Sequence, residues 1–337
     1  MGEERGSRDT RPFRLWWGLA GIAALGSLML LAGPYGAGIV FAPDQGIAWY
    51  FWKRPDPDAW SRASAWTLYA LHQLSLWALI YHAQRSQPSY SKSLHRFNAL
   101  ALATNAVFVI LHIVQTRVWY DGLAQDTSVF SSQVSVVLLL VLVLIMENQR
   151  RGLFFGWSAP MPESVTSAVR RYHGYYFSWA IVYTFWFHPI ETNPGHMFGN
   201  IYTLLLLLQG SLFFTSIHTN RAWTTALEVL VLVHGAMVAY LSSHSLIGQF
   251  VFGFLAIFLI TQMHGLNLSR AKRGLITATI IAAMLTWYRG DFGTLLAEVP
   301  RVPIVEYLLV YVVIGLVWVL FIAPGRLVRR TRAGGAR

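Results

Sequence analysis

The chain contains no cysteine, which excludes disulfides, thiolate catalysis, iron–sulfur clusters and cysteine-ligated haem. Charge is scarce as well. Asp, Glu, Lys and Arg make up 12% of the 337 residues, against about 25% in a soluble domain. All three lysines, Lys53, Lys92 and Lys272, lie outside the apolar runs, so no buried amine is offered for retinal-type chemistry. Proline is nearly missing from those runs, whereas transporters commonly break helices at mid-membrane to bind substrate. Catalytic signatures are missing too. There is no HExxH, no paired HxxxH box, no GxSxG elbow, no Walker-type glycine loop and no aspartate-rich diphosphate motif.

Apolar length is what the chain has in abundance. Hydrophobic residues are 55% of the total. They gather in runs near 15–34, 63–83, 97–118, 130–146, 172–188, 197–215, 222–242, 246–263, 274–288 and 304–323. A helix needs about 20 apolar residues to cross a bilayer. The sequence therefore predicts an all-α integral membrane protein, a polytopic bundle of about ten transmembrane helices. The expected organisation is a basic cytoplasmic N-terminus over 1–14, a single transmembrane helical domain over 15–323 and a basic cytoplasmic tail over 324–337. The first run follows Arg5, Arg8, Arg11 and Arg14. It is longer than the apolar core of a signal peptide and reads as a retained helix.

Basic residues orient the bundle. With the N-terminus in the cytoplasm and ten crossings, twenty of the 26 Lys and Arg residues fall on the cytoplasmic side and six outside, as the positive-inside rule requires. Both termini are expected in the cytoplasm of a cell with a bacterial-type inner membrane or a plasma membrane. Insertion and an anionic inner leaflet account for the net charge of +11 without a nucleic-acid partner. The lipid bilayer and a hydrophobic small-molecule substrate are the expected partners, and nothing in the sequence states an oligomeric state. The segment 35–62, with Trp49, Trp52 and Trp60, reads as an aromatic stretch lying on the outer membrane surface. Residues 147–171 read as an inner loop or short amphipathic piece.

This topology collects polar residues at one level. His188-Pro189-Ile190-Glu191-Thr192-Asn193-Pro194-Gly195-His196 is expected as a non-helical polar turn, because two prolines and a glycine interrupt it. On the third run His112, Gln115 and Trp119 share one face and lead past Arg117 to Asp121, while His244 follows the seventh run. Imidazole with carboxylate is the ligand set of Zn, Cu or non-haem Fe. It also serves acid–base chemistry near neutral pH. Taken singly, each of these residues reads more readily as ordinary interfacial polarity. Four histidines at one level make the set a candidate site.

The leading expectation is an intramembrane enzyme acting on a lipid-like or hydrophobic small molecule, an oxidoreductase if its metal is redox-active. His112, His188, His196 and His244 are the expected metal ligands or proton carriers. Glu191 and Asp121 would orient an imidazole, Arg117 would bind an anionic substrate group and Gln115 would add a polar contact. Trp119, Tyr176 and Trp186 would wall the pocket. Two rivals stand beside it. A proton-coupled transporter would use Glu228, the one acid placed inside an apolar run away from its ends, with His234; the plainer reading pairs Glu228 with Arg221 or His218. A haem electron carrier would use His72 and His234 as axial ligands.

Overall fold

The fold is described from a computed structural model over residues 12–323, apart from 37, 44, 47–49, 87 and 243–246. His244, Trp49, both charged tails from Arg5 to Arg11 and from Arg326 to Arg337, and the boundaries of 1–14 and 324–337 therefore lie wholly or partly outside the described residues.

Among the described residues the chain is all-helical, with no strand beyond two isolated bridges. The helices are α1 (Leu15–Ala32), α2 (Ala59–Ser86), α3 (Arg96–Val118), α4 (Val129–Arg151), α5 (Glu163–Phe187), α6 (Pro194–Ser211), α7 (Arg221–Ser242), α8 (Ile247–Ile260), α9 (Arg270–Trp287), α10 (Phe292–Glu298) and α11 (Arg301–Val317), the last running into a π turn over Trp318–Ile322. Six helical stretches among the described residues are long and apolar enough to cross a membrane: Leu15–Gly36, Arg96–Val118, Val129–Arg151, Arg221–Leu241, Ile247–Gly265 and Phe292–Ile322. A protein with this many apolar helices and so little charge belongs in a bilayer.

Helix ends move from their expected places where a cap decides them. The turn expected to be non-helical through His196 already contains the start of α6. Asn193 caps it by accepting the His196 N–H at 3.1 Å, and Pro194 sits at the first helical position, where its missing N–H costs nothing. α5 begins at Glu163, nine residues before the expected run, so Arg170 and Arg171 are helical. α10 was not anticipated. Asp291 creates it by accepting the Thr294 N–H at 3.0 Å.

The helices pack as two compact units. The first comprises residues 1–132 and 181–224, with α1, α2, α3 and α6. Here α2 lies along α3, and α1 packs on both α3 and α6. Close approach of α1 to α6 needs small residues. A Cβ on Gly18 would stand 2.7 Å from Leu208, and one on Gly26 2.7 Å from Ile201. The second unit comprises residues 133–180 and 225–337. Its core joins Val141, Leu144 and Ile145 of α4 to Val165 and Val169 of α5 and to Val310 and Ile314 of α11. α8 packs on α11, and Gly253 admits Val302, which a Cβ there would meet at 2.6 Å.

Candidate functional site

In the first unit the last two turns of α3 grip residues 188–190 by their backbone. His112 Nε2 donates to the His188 carbonyl at 2.8 Å. Thr116 Oγ1 accepts the Ile190 N–H at 3.1 Å, and the Arg117 guanidinium donates to the Ile190 carbonyl. Arg117 also reaches the Gly33 carbonyl at 3.3 Å. His112 and Thr116, at i and i+4, share a helix face, and Arg117 reaches round from beside them. The chain leaving α5 cannot be helical, because Pro189 follows His188, so its backbone groups need partners from elsewhere. α3 supplies them.

Held in this way, the segment presents its side chains to a loop. Tyr50 Oη lies 2.6 Å from His188 Nδ1. The His188 and His196 rings stand 5.3 Å apart, edge to face, and Trp52 lies 4.7 Å from His196. Phe41 packs on both Trp52 and Tyr120. Glu191 accepts a hydrogen bond from the Tyr120 hydroxyl. Tyr120 itself has φ of +44° and is buried, a backbone strain costing of order 1–3 kcal/mol. Its N–H bonds the Thr116 carbonyl at 3.1 Å, which helps to hold it there. Burial and the neighbouring Glu191 charge push the Tyr50 phenol well above its usual range, and burial with the Glu191 bond does the same for Tyr120. Both phenols remain protonated at any working pH.

The loop is fixed from behind. The Gln125 amide exchanges two bonds with the Arg54 backbone, at 3.3 and 2.9 Å, and the Arg54 guanidinium reaches the Trp119 carbonyl at 2.9 Å. Asp58 accepts the Ser61 N–H at 2.7 Å, and this bond together with the Ser61 hydroxyl holds its carboxyl below the usual range. The expected surface-lying aromatic stretch is thus corrected in part. Tyr50 and Trp52 turn inward onto histidines, while Trp60 stays exposed.

The structure brings together His112, Gln115, Arg117, His188, Glu191 and His196 among the expected residues, and it alters several roles. His112 is not placed as a metal ligand. Its Nε2 is engaged with the His188 carbonyl, and its Nδ1 lies 3.2 Å from the Gln115 amide. Arg117 is committed to two carbonyls, so it acts as a clamp where an anion-binding role was expected. Gln115 is fully buried against His112 and supports it. Trp186 is fully buried, donates to His72 and packs with its ring 4.2 Å from the His112 ring, so it backs His112 where a pocket wall was expected. Tyr176 lies in the second unit, where it donates to the Ser135 carbonyl at 3.1 Å. Tyr50, Trp52 and Tyr120 were missed as site residues. The aromatic density of 35–62 was visible, but which ring meets which histidine depends on contacts up to 138 residues apart.

Asp121 does not orient an imidazole. It is buried, its Oδ1 accepts the Gly122 N–H at 2.8 Å and its Oδ2 has no hydrogen-bond partner. Burial lifts its carboxyl to about 6, above the ~3.9 of an unfolded aspartate. A raised acid favours the folded state when protonated, so stability falls as pH rises from about 4 to 6. Asp121→Asn keeps the acceptor oxygen and removes the charge. It is expected to raise the midpoint of thermal unfolding by roughly 4 °C at pH 7.5 and to make little difference at pH 4.5. Equal midpoints for the two proteins at pH 7.5 would refute this.

His72 belongs to a network that shares Trp186 with His112. Trp186 Nε1 donates to its Nδ1 at 3.2 Å, so Nε2 carries the proton and donates to Asn105 Oδ1 at 2.7 Å. Asn105 donates in turn to Ser211 Oγ at 2.8 Å, and the imidazole stacks on Phe108 at 4.6 Å. Neither ring nitrogen is left to ligate iron, so His72 pins α2, α3 and α6 together. His234 belongs to the second unit.

In the second unit Glu228 pairs with Arg151, correcting the expected Arg221 or His218. Arg151 Nη1 lies 3.0 and 2.7 Å from the two carboxylate oxygens, with Arg151 buried and Glu228 nearly so. Extension of α4 to Arg151 carries this cation inward from the expected loop. Beside the pair is a cavity of about 10 Å³, lined by Arg151, Glu228, Gln262 and Glu306, room for one water. Glu306 is 4% exposed and its Oε2 has no hydrogen-bond partner, as is true of Arg151 Nε and Nη2.

Among the described residues no group of three or more His, Asp or Glu side chains is arranged to hold a metal ion. No family model, curated protein or solved structure matches the chain.

Proposed function

We propose that the chain is a multi-pass membrane enzyme with about ten spans and both termini in the cytoplasm. Its centre is His188 and His196 with Tyr50, at the non-cytoplasmic helix ends, and its substrate is a lipid-like or hydrophobic small molecule. The observation that carries this reading is the meeting of two imidazoles and a phenol from separate stretches of chain, on a backbone held by three side chains of α3. Polar groups so assembled beside apolar helices are costly and mark function.

Two chemistries suit the centre. If His188 Nδ1–H donates to Tyr50, the His188 imidazole would act through Nε2 as a base or a ligand. Two imidazoles on one tetrahedral ion, with metal–nitrogen bonds of about 2.0–2.1 Å, place their ring centres roughly 5 Å apart, which the 5.3 Å spacing of His188 and His196 matches. Zn, Cu or Fe would have two described protein ligands, His244 as the remaining candidate and open positions for water and substrate. A redox-active ion would make the enzyme an oxidoreductase. Elemental analysis and a visible spectrum of the detergent-purified protein test the metal form. One equivalent of metal is expected in the parent protein and less than a tenth of that in His188→Ala or His196→Ala. A parent protein that stays metal-free after exposure to Zn²⁺, Cu²⁺ and Fe²⁺ leaves only the acid–base form. A Soret band would point instead to a haem carrier.

A second reading is favoured by one observation, the buried Glu306 oxygen facing the cavity beside Arg151 and Glu228. Open buried carboxylates serve proton coupling in transporters. In this reading Glu228 with Glu306, more than Glu228 with His234, would carry protons. Proton-gradient-dependent uptake into proteoliposomes that is lost in Glu306→Gln would place transport first.

A further inference from the structure

We infer that the second unit binds one anionic phospholipid in the groove between α8 and the start of α9, the acyl chain along the groove and the phosphate at Arg270 and Arg273. The groove is open along its length and offers about 760 Å³. Its floor is apolar, with Leu259, Ile260, Ala278 and Ile281, and its mouth carries Arg270, Arg273 and His264. No carboxylate lines it. Among the described residues none of Arg270, Lys272 and Arg273 forms a salt bridge. Arg273 meets only another nitrogen base, His264 Nδ1 at 3.4 Å, and its buried Nε has no partner.

The placement of these cations is unfavourable without an anion. Three basic residues occupy the first turn of α9, with no acidic residue there, although the N-terminal end of a helix carries partial positive charge and favours anions. Phosphate chemistry answers both the guanidinium pair and the helix end. The apolar length decides between a free phosphate and a lipid. α9 has no buried residue along its eighteen, and Leu275, Ile281 and Leu285 stay exposed beyond the basic turn. A ligand that satisfies the mouth and the floor together must be anionic at one end and hydrocarbon at the other. In the proposed orientation this mouth faces the cytoplasmic leaflet, where anionic lipids and juxtamembrane Arg and Lys meet. The inference does not depend on the His188–His196 centre.

The test uses the full-length protein in nanodiscs and native mass spectrometry of what it retains after gentle delipidation. With a mixture of phosphatidylglycerol and phosphatidylcholine, the parent protein is expected to keep one phosphatidylglycerol in preference to phosphatidylcholine. Arg270→Ala with Arg273→Ala should cut that preference roughly ten-fold. Ala278→Phe, which fills the groove and leaves every charge in place, should also cut it, and Arg62→Ala in the first unit should not. Three results would overturn the inference: no preference in the parent protein, full displacement of the lipid by millimolar inorganic phosphate, or a preference abolished by the arginine changes and untouched by Ala278→Phe. The last would reduce the effect to general surface attraction.

Discussion

Arg151→Ala is expected to cost about 3–5 kcal/mol, the largest loss of any single change in the second unit. Arg151 and Glu228 are 1% and 10% exposed, and removal of the cation strands a carboxylate among α4, α7 and α8 with room beside it for a single water. The protein should be recovered at a small fraction of the parent yield, or unfold well below the parent temperature. The same reasoning gives an opposite outcome for the double change. Arg151→Met with Glu228→Leu removes both charges and keeps most of the volume, and replacement of a buried pair by apolar groups is often neutral or stabilising. Thermal unfolding in detergent separates these outcomes. Arg151→Ala that unfolds within a degree or two of the parent would mean that the pair is hydrated and worth little.

Gly122→Ala should be the most damaging small change in the first unit. Its φ of −153° is ordinary extended backbone, so the requirement for glycine comes from contact alone. A Cβ would lie 2.6 Å from the Phe187 carbonyl oxygen and 3.1 Å from the His188 carbonyl carbon. Backbone cannot turn aside as a side chain can. The end of α5 must move, and with it the His188 carbonyl that His112 holds and the ring that Tyr50 meets. Overpacking of this kind costs about 1–3 kcal/mol, so the unfolding midpoint should fall by roughly 5 °C. Ligand binding or activity at the His188–His196 centre should fall more than stability does. Unchanged binding at the centre with an unchanged midpoint would show that residues 187–188 are not tightly docked on 121–122.

Apolar periodicity made the helical architecture readable, and basic residues suggested an orientation. Ends were read less well, because they depend on single side chains: Asn193 pulls α6 back over Pro194, and Asp291 makes α10 out of what reads as a loop. Sorting polar residues by expected depth grouped His112, Arg117, His188, Glu191 and His196, which lie together in the structure. It could not assign jobs. Whether an imidazole offers its lone pair or spends its proton on a carbonyl is settled by what stands 3 Å away, and for His112 that is the His188 backbone. Tyr50 and Tyr120 escaped notice for a related reason, since a tyrosine in an aromatic loop has the same sequence signature facing lipid or facing a histidine. Arg151 looked like a cytoplasmic loop cation until α4 proved one turn longer than its apolar run.

Copper(II) titration of the metal-stripped, full-length protein, followed by electron paramagnetic resonance, interrogates the His188–His196 centre most directly. One equivalent should bind with hyperfine structure from two imidazole nitrogens, and either His188→Ala or His196→Ala should abolish that signal while His72→Gln leaves it intact. A parent spectrum without imidazole coupling, or one unchanged in both variants, would contradict a metal centre built on this pair.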